Sequence, residues 1–338
     1  MAQGKTVAKA FKDRESWLEA RKQTLGGSDV AGALFGVGFR SGLATQYDKL
    51  GLLPDSPSSP RQKMGLAAEP VIAEIAEEKL GWPVVEPSKD GPVIYYSAEA
   101  PCLHSTPDRF VMSERPQRVH PAHLPKKARA VLSLKTWTSA RREDWGATPP
   151  LFALLQLLTE MLVTGLQSGA LTVVFGLCED EQTYPQIDYH EGVGERIRNE
   201  APLWWQRHIV DQLPVRAVAS DQDLLRQIYP ESKPSSFVIL SGEEWETCYR
   251  RLAKAKKLKS RVETVIDGLE AKFKEALGEN EFAVLSETAS VSWKSYLRND
   301  PPREAKTYPV RPMRIAKTPK EIAAQAFVGE TKEEGEEE

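Results

Sequence analysis

The sequence predicts an α/β fold, a central mixed sheet flanked by helices, with a helical arm toward the C-terminus. Three observations predict it. β-rich runs at 93–96, 109–112 and 130–136 precede an apolar helical stretch over 151–163 and a buried run at 171–177, an alternation that builds a sheet covered by helices. A charged segment from Trp245 to Leu277 carries Leu258, Val262, Val265, Leu269 and Ala276 at heptad-like spacing, the pattern of an appended helix. The 338 residues, 41% hydrophobic and 28% charged, have ordinary globular composition and can bury one large core plus an appendage.

In chain order, Arg14 to Gln23 reads as a short helix, broken at Leu25-Gly26-Gly27-Ser28-Asp29. A second helix over Val30 to Phe35 then starts under a Ser or Asp cap. Asp55 to Pro60 is a turn cluster, after which Ala68, Ile72, Ile75, Ala76 and Leu80 recur at helical spacing and place Glu69 in the first turns of a helix. The strands at 109–112 and 130–136 flank a basic, proline-containing loop from Glu114 to Arg129, a long hairpin connection. Pro149-Pro150 suits a helix start, and the apolar residues beyond it, interrupted by Gln156, Thr159 and Glu160, mark a buried helix. Glu281–Leu285 and Ser290–Lys294 suggest a small hairpin, and a Pro-, Lys- and Glu-rich end suggests disorder. The expected organisation is a core over 1–212, a helical arm with a small hairpin over 213–300 and a flexible charged tail over 301–338.

The polar opening residues and the lack of about 18 uninterrupted apolar residues argue against secretion and membrane spanning, so a cytoplasmic location is expected. Cys102, Cys178 and Cys248 form no C-x-x-C pair and are expected to be buried thiols, not a zinc or disulfide framework. With a net charge of −3, any nucleic-acid contact must come from local clusters of Lys and Arg.

The residues with chemistry in them are Thr106-Pro107-Asp108 at the opening of one strand and Ser133-Leu134-Lys135 on the next. Positions 133 and 135 project to one face, and Asp108 on a neighbouring strand can meet them. Phosphodiester cleavage uses such a set: carboxylates hold divalent ions that stabilise the attacking and leaving oxygens, and a lysine orients and deprotonates water. Taken alone, this fragment reads better as a chance pairing in a charged protein than as a site.

The ordered series Arg21, Gly26-Gly27-Ser28-Asp29, Gly65-x-x-x-Glu69-Pro70, Ser105 to Asp108, Leu132 to Thr136 and Gln156 with Thr164-Gly165 resembles the YqaJ-like viral recombinases. This is the family of lambda-type alkaline exonuclease, within the PD-(D/E)XK nuclease superfamily. The resemblance spans about 14–210, and Val291-Ser292-Trp293-Lys294 is similar to the tail of YqaJ-type members.

It implies Glu69, Asp108 and the Leu134 carbonyl as metal ligands, Lys135 as catalytic lysine and Gln156 facing the metal. It further implies Arg21 and Ser28 as a 5′-phosphate pocket, and, more loosely, Arg141 and Arg142 at the DNA backbone. Without it Glu69 reads as a solvated member of an acidic helix, and Arg21 and Ser28 read equally as a surface arginine and an N-cap. The implied activity is Mg²⁺-dependent, with Mn²⁺ as a substitute: 5′-to-3′ digestion of linear double-stranded DNA ends that leaves a 3′ overhang for recombination. A homotrimer and a single-strand annealing partner are implied with it.

The chain departs from the pattern at Ser133, where the family has Glu. A hydroxyl cannot replace a carboxylate on a hard ion, so either the chain is silent and only binds DNA ends, or the acid has migrated to Glu160.

Overall fold

A computed structural model describes residues 6–53, 59–89, 91–117, 119–121, 123–176, 179–234, 236–286 and 289–295. The turn cluster at 55–58, Cys178 and the tail over 301–338 lie outside the described residues. The chain forms two units, Met1–Leu224 and Leu225–Glu338.

The first unit opens with strand β1 (Val7–Ala10) and helices α1 (Arg14–Lys22), α2 (Gly27–Phe35), α3 (Gly42–Lys49) and α4 (Pro60–Leu80). Strands β2 (Val84–Val85), β3 (Val93–Tyr96), β4 (His104–Ser105), β5 (Arg109–Met112) and β6 (Ala128–Trp137) follow. Helix α5 (Leu151–Thr164), strands β7 (Ser168–Phe175) and β8 (Asp180–Asp188) and helix α6 (Glu191–Trp205) complete the core, and helix α7 (Gln222–Ile228) carries the boundary between the two units.

Five strands make the central sheet in the order β2-β5-β6-β7-β8. β5–β6 and β7–β8 are antiparallel and β6–β7 is parallel, so the sheet is mixed and α5 is the crossover between its parallel strands. β1, β3 and β4 form a second, antiparallel sheet.

Helices cover both faces of the central sheet. Residues two apart on β6 share a face, and Leu132 and Leu134 pack with Ile72 and Ala76 of α4. Val131 turns the other way, into a cluster with Leu157, Leu158 and Met161 of α5. Ser133 and Lys135 share the Val131 face and therefore look toward α5.

The helix marked by the spacing of Ala68 to Leu80 begins as early as Pro60, where Ser59 and Gln62 cap its start reciprocally. Glu69 consequently sits well inside α4, immediately before Pro70. Helix α2 starts at Gly27 with Gly26 as its cap, and Asp29 instead accepts from the Gly26 N–H at 3.0 Å. The expected Ser or Asp cap is thus replaced by an acid reaching back from the first turn.

The second unit contains α8 (Glu243–Leu277) and the antiparallel pair β9 (Phe282–Val284) and β10 (Ser290–Ser292). Cys248 is exposed and Cys102 half-buried, which corrects the expectation of buried thiols for both. No helix among the described residues is long and apolar enough to cross a membrane.

Candidate active site

The site forms where β5 begins, alongside β6. The last paired residues of these strands are Arg109 and Leu132. One step further, the Asp108 carboxylate substitutes for strand backbone and accepts the Leu134 N–H at 2.8 Å. The Ser133 hydroxyl lies 3.5 Å from the same oxygen, too far for a strong bond, and Ser133 is fully buried. Leu134 thus offers an amide to Asp108 while its side chain packs on the α4 face.

Lys135 donates to Gln156 Oε1 at 3.1 Å, and Gln156 Nε2 donates to Glu160 Oε1 at 2.9 Å. Residues 156 and 160 are one helical turn apart on α5, so the turn itself aligns this relay. It leaves Glu160 Oε2 buried with no hydrogen-bond partner among the described residues. An orphaned carboxylate oxygen is costly in a protein interior unless a proton or a cation meets it. Burial pushes the Glu160 carboxyl up to about 8, the Asp108 charge adds to the rise, and Lys135 and Gln156 oppose it.

Glu69 approaches from α4, half-buried, with Arg109 at 3.7 Å. Burial raises its pKa first and Asp108 second, against Arg109 and Lys135. Arg109 also pairs with Glu86 at 3.3 Å and donates to the Asp108 carbonyl oxygen at 2.6 Å, which holds the start of β5 in place.

Glu69, Asp108, Lys135, Gln156 and Glu160 therefore act on one another electrostatically or through hydrogen bonds. Oxygen donors of this kind suit a hard divalent ion, and the unmatched Glu160 Oε2 is where the charge balance is incomplete. Among the described residues, however, no three His, Cys, Asp or Glu side chains gather closely enough to hold an ion by themselves.

Beside this cluster lies the Gly26-Gly27 turn. Leu25 bridges to Leu103, and the His104 N–H donates to the Leu25 carbonyl at 2.9 Å, which ties the turn to β4. Asp29 is buried here, 2.7 Å from Lys49 Nζ and 3.7 Å from Arg40. Burial raises its pKa, but Lys49, the Gly26 N–H and Arg40 outweigh this and hold it below the usual value. The Arg21 guanidinium stacks 4.5 Å from the Trp17 ring. Burial lowers its pKa and Asp29 opposes that effect.

Arg21 also acts on Glu160, so the turn and the carboxylate cluster are electrical neighbours. Ser28 is exposed at the start of α2. A hydroxyl, a guanidinium and the amides of a helix start are group types suited to an anion.

Lys49, Arg40 and His104 were not singled out from sequence. Lys49 and Arg40 lie in or near α3, distant in sequence from the other site residues, and nothing in their spacing marks them. Asp29 was legible as a helix-start acid, though not as the hub of an ion-pair cluster. His104 is fully buried, its Nδ1 2.9 Å from the Thr24 hydroxyl and its Nε2 without a partner among the described residues. Burial first, then Arg21 and Lys49, lowers its pKa to about 3, so it is neutral.

Arg141 and Arg142 are already engaged. Arg141 pairs with Asp144 at 2.9 Å, whereas Arg142 pairs with Asp180 at 2.7 Å and lies 4.4 Å from the Phe175 ring. In the long loop Lys127 pairs with Glu114, and Arg129 stacks 4.0 Å from Trp82.

No protein-family model and no curated protein matches the chain. Among solved structures it is similar to LHK-Exo, an alkaline exonuclease from Laribacter hongkongensis, crystallised in complex with dAMP. The TM-score is 0.45 at 14% identity, covering 63% of this chain and 97% of that one. A second LHK-Exo structure gives the same TM-score and identity over 58% and 93%. The structure of SSO0001 is similar at a TM-score of 0.31 and 11% identity, over 56% and 85%. Likeness of this degree assigns neither a family nor an activity, so roles for the residues rest on their own geometry.

Proposed function

We propose that the chain is a divalent-metal-dependent exonuclease of the lambda-type, YqaJ-like kind, which digests one strand of linear double-stranded DNA from the 5′ end. The observation that carries this reading is the relay from Lys135 through Gln156 to Glu160, which ends, within reach of the Asp108 charge, on a buried carboxylate oxygen with no hydrogen-bond partner among the described residues. Glu160 occupies the electrostatic role that Ser133 cannot fill.

Under this reading Glu69, Asp108, Glu160 and the Leu134 carbonyl hold Mg²⁺, or Mn²⁺ in its place, and the three carboxylates must draw closer together than they stand without the ion. The ion, when bound, supplies positive charge that stabilises the oxyanions of phosphodiester cleavage. Lys135 orients a water and takes up or gives back its proton, with Gln156 fixing the ammonium's direction. Arg21, Ser28 and the α2 amides receive the 5′-phosphate. Arg141 and Arg142 are assigned to the DNA backbone only if they exchange their carboxylate partners for phosphates. A homotrimer around DNA and a single-strand annealing partner complete the proposal by analogy.

A second reading, a catalytically silent protein that binds DNA ends, is favoured by the failure of three acidic side chains to gather at the site. Linear duplex DNA bearing 5′-phosphates, incubated with Mg²⁺, separates the two. Digestion by the parent and its loss in Glu160→Gln support the nuclease with a migrated acid. Digestion only after Ser133→Glu supports the silent form.

A further inference from the structure

Helix α8 runs for 35 residues and only Leu277 is buried, so it has an almost entirely uncovered surface. That surface is not uniformly polar. Trp245, Leu252, Val262, Ile266, Leu269 and Phe273 occupy the large positions of one unbroken alternation of three and four residues. Cys248, Ala255 and Ala276 fill the small positions between them, and Lys259 is the only charge in the stripe. Trp245, Val262, Ile266 and Leu269 are each about half exposed, at 48%, 49%, 48% and 52%. A 3.5-residue repeat kept for this length is the signature of a coiled-coil seam, and a helix held only by its own face needs a partner to cover it.

We propose that the occupant of this seam is α8 of a second copy of the chain, lying antiparallel. The flanking charges select both partner and direction. With the second helix reversed so that Leu252 shares a layer with Val262 and Trp245 with Leu269, Lys256 faces Glu263 and Glu244 faces Lys272. Each of these opposite-charge pairs occurs twice by the two-fold symmetry. Lys259 then lies across from Ala255, whose small side chain gives its aliphatic stem room while its ammonium stays beside Glu263 of its own helix, at 3.6 Å.

A parallel pair has none of these features. It sets Lys259 against Lys259 in the seam and Arg251 against Lys256 on its flank, and makes no opposite pair. The inference concerns the second unit alone and does not depend on the nuclease reading of the first.

The test is the mass of the full chain by sedimentation equilibrium across a concentration series, with circular dichroism to confirm unchanged helix content. Ile266→Asp, at an exposed position, is expected to lower the assembly state. Lys256→Glu and Glu263→Lys singly are each expected to weaken self-association by about tenfold, because each sets two like-charge contacts. The double variant swaps the pair and is expected to restore association to within about threefold of the parent.

An unchanged mass in Ile266→Asp overturns the proposal, since something other than a second copy must then cover the seam. Failure of the double variant to rescue overturns the antiparallel register. A disulfide-linked dimer that forms on mild oxidation and vanishes in Cys248→Ser also overturns it, because antiparallel packing sets Cys248 against Ile266 and only the parallel pair joins Cys248 to itself.

Discussion

Gly27 rests directly on Gln156: a β-carbon on Gly27 would lie 2.8 Å from the Gln156 carbonyl oxygen and 3.0 Å from its Cγ. The turn that opens α2 and the helix that carries the Gln156–Glu160 relay are therefore held at backbone contact. The phosphate-type pocket and the carboxylate cluster are parts of one construction.

Gly27→Ala is expected to cost about 1–3 kcal/mol, because the obstruction is backbone and cannot swing away. Urea denaturation measures the loss. If the contact has the proposed importance, end preference and divalent-ion binding also fall together. An unchanged denaturation midpoint would show that the two elements slide apart freely.

Ser133→Glu places a second charge beside Asp108 in a fully buried position. Without metal the variant is expected to be less stable than the parent by about 1–3 kcal/mol from overpacking, with like-charge repulsion acting in the same direction. With saturating Mg²⁺ the order is expected to reverse. Thermal shifts with EDTA and with Mg²⁺ test both signs.

Glu160 makes stability depend on pH. Its carboxyl titrates at about 8 in the folded protein against 4.5 ordinarily, so the folded state holds a proton that the unfolded chain releases. Stability without metal is therefore expected to fall as pH rises from about 4.5 to about 8, by at most about 5 kcal/mol. Glu160→Gln should flatten this segment of the profile and be the more stable protein at pH 8. Parallel profiles for parent and variant in EDTA would refute the assignment.

Lys49→Met strands Asp29 in the interior with Arg40 at 3.7 Å as its remaining cationic partner. A loss of about 3–5 kcal/mol at neutral pH is expected, since an unmatched buried charge costs more than the pair contributes. The folded-state pKa of Asp29 lies below 3.8, so its stabilising contribution is present above that value and disappears as pH falls through the folded pKa. The deficit of the variant should shrink in acid, which denaturation at pH 7 and pH 3 compares.

Arg21→Ala is expected to remove a preference for 5′-phosphorylated over unphosphorylated duplex ends while leaving Mg²⁺ affinity within about threefold, because the pocket uses separate groups. Competition binding with the two kinds of end measures it. Equal affinity of the parent for both ends would defeat the pocket assignment.

Wherever periodicity was strong, the sequence located the elements well. The strands at 93–96 and 109–112 match β3 and β5, and the apolar run beginning at Leu151 matches α5 to within a residue. Strands β2 and β4, two residues each, left no readable signal, and β1 (Val-Ala-Lys-Ala) and the nine-residue β8 (Asp180–Asp188), which is largely polar and contains a proline, escaped for lack of a β-rich apolar run. Helix α3 also escaped, because its apolar face is only Leu43 among buried polar residues such as Thr45 and Gln46. Gln46 is buried to donate to the His208 and Leu213 carbonyls, a long-range role that no local pattern encodes.

What the sequence by itself determined is the inventory of the site and its local order: a strand that carries Ser133 and Lys135 on one face, an acid opening its neighbour, and an amide and a carboxylate one turn apart on a buried helix. These follow from periods of two and 3.6 residues, which are properties of short segments. Only the tertiary structure decided that Lys135 reaches Gln156, that Glu160 is left with an unmatched oxygen, that Asp108 closes on the Leu134 amide, and that Lys49 and Arg40 gather around Asp29. The reason is physical: charge balance in a buried site depends on which groups the fold brings within a few ångströms, and that depends on strand order and helix packing, which no local spacing encodes.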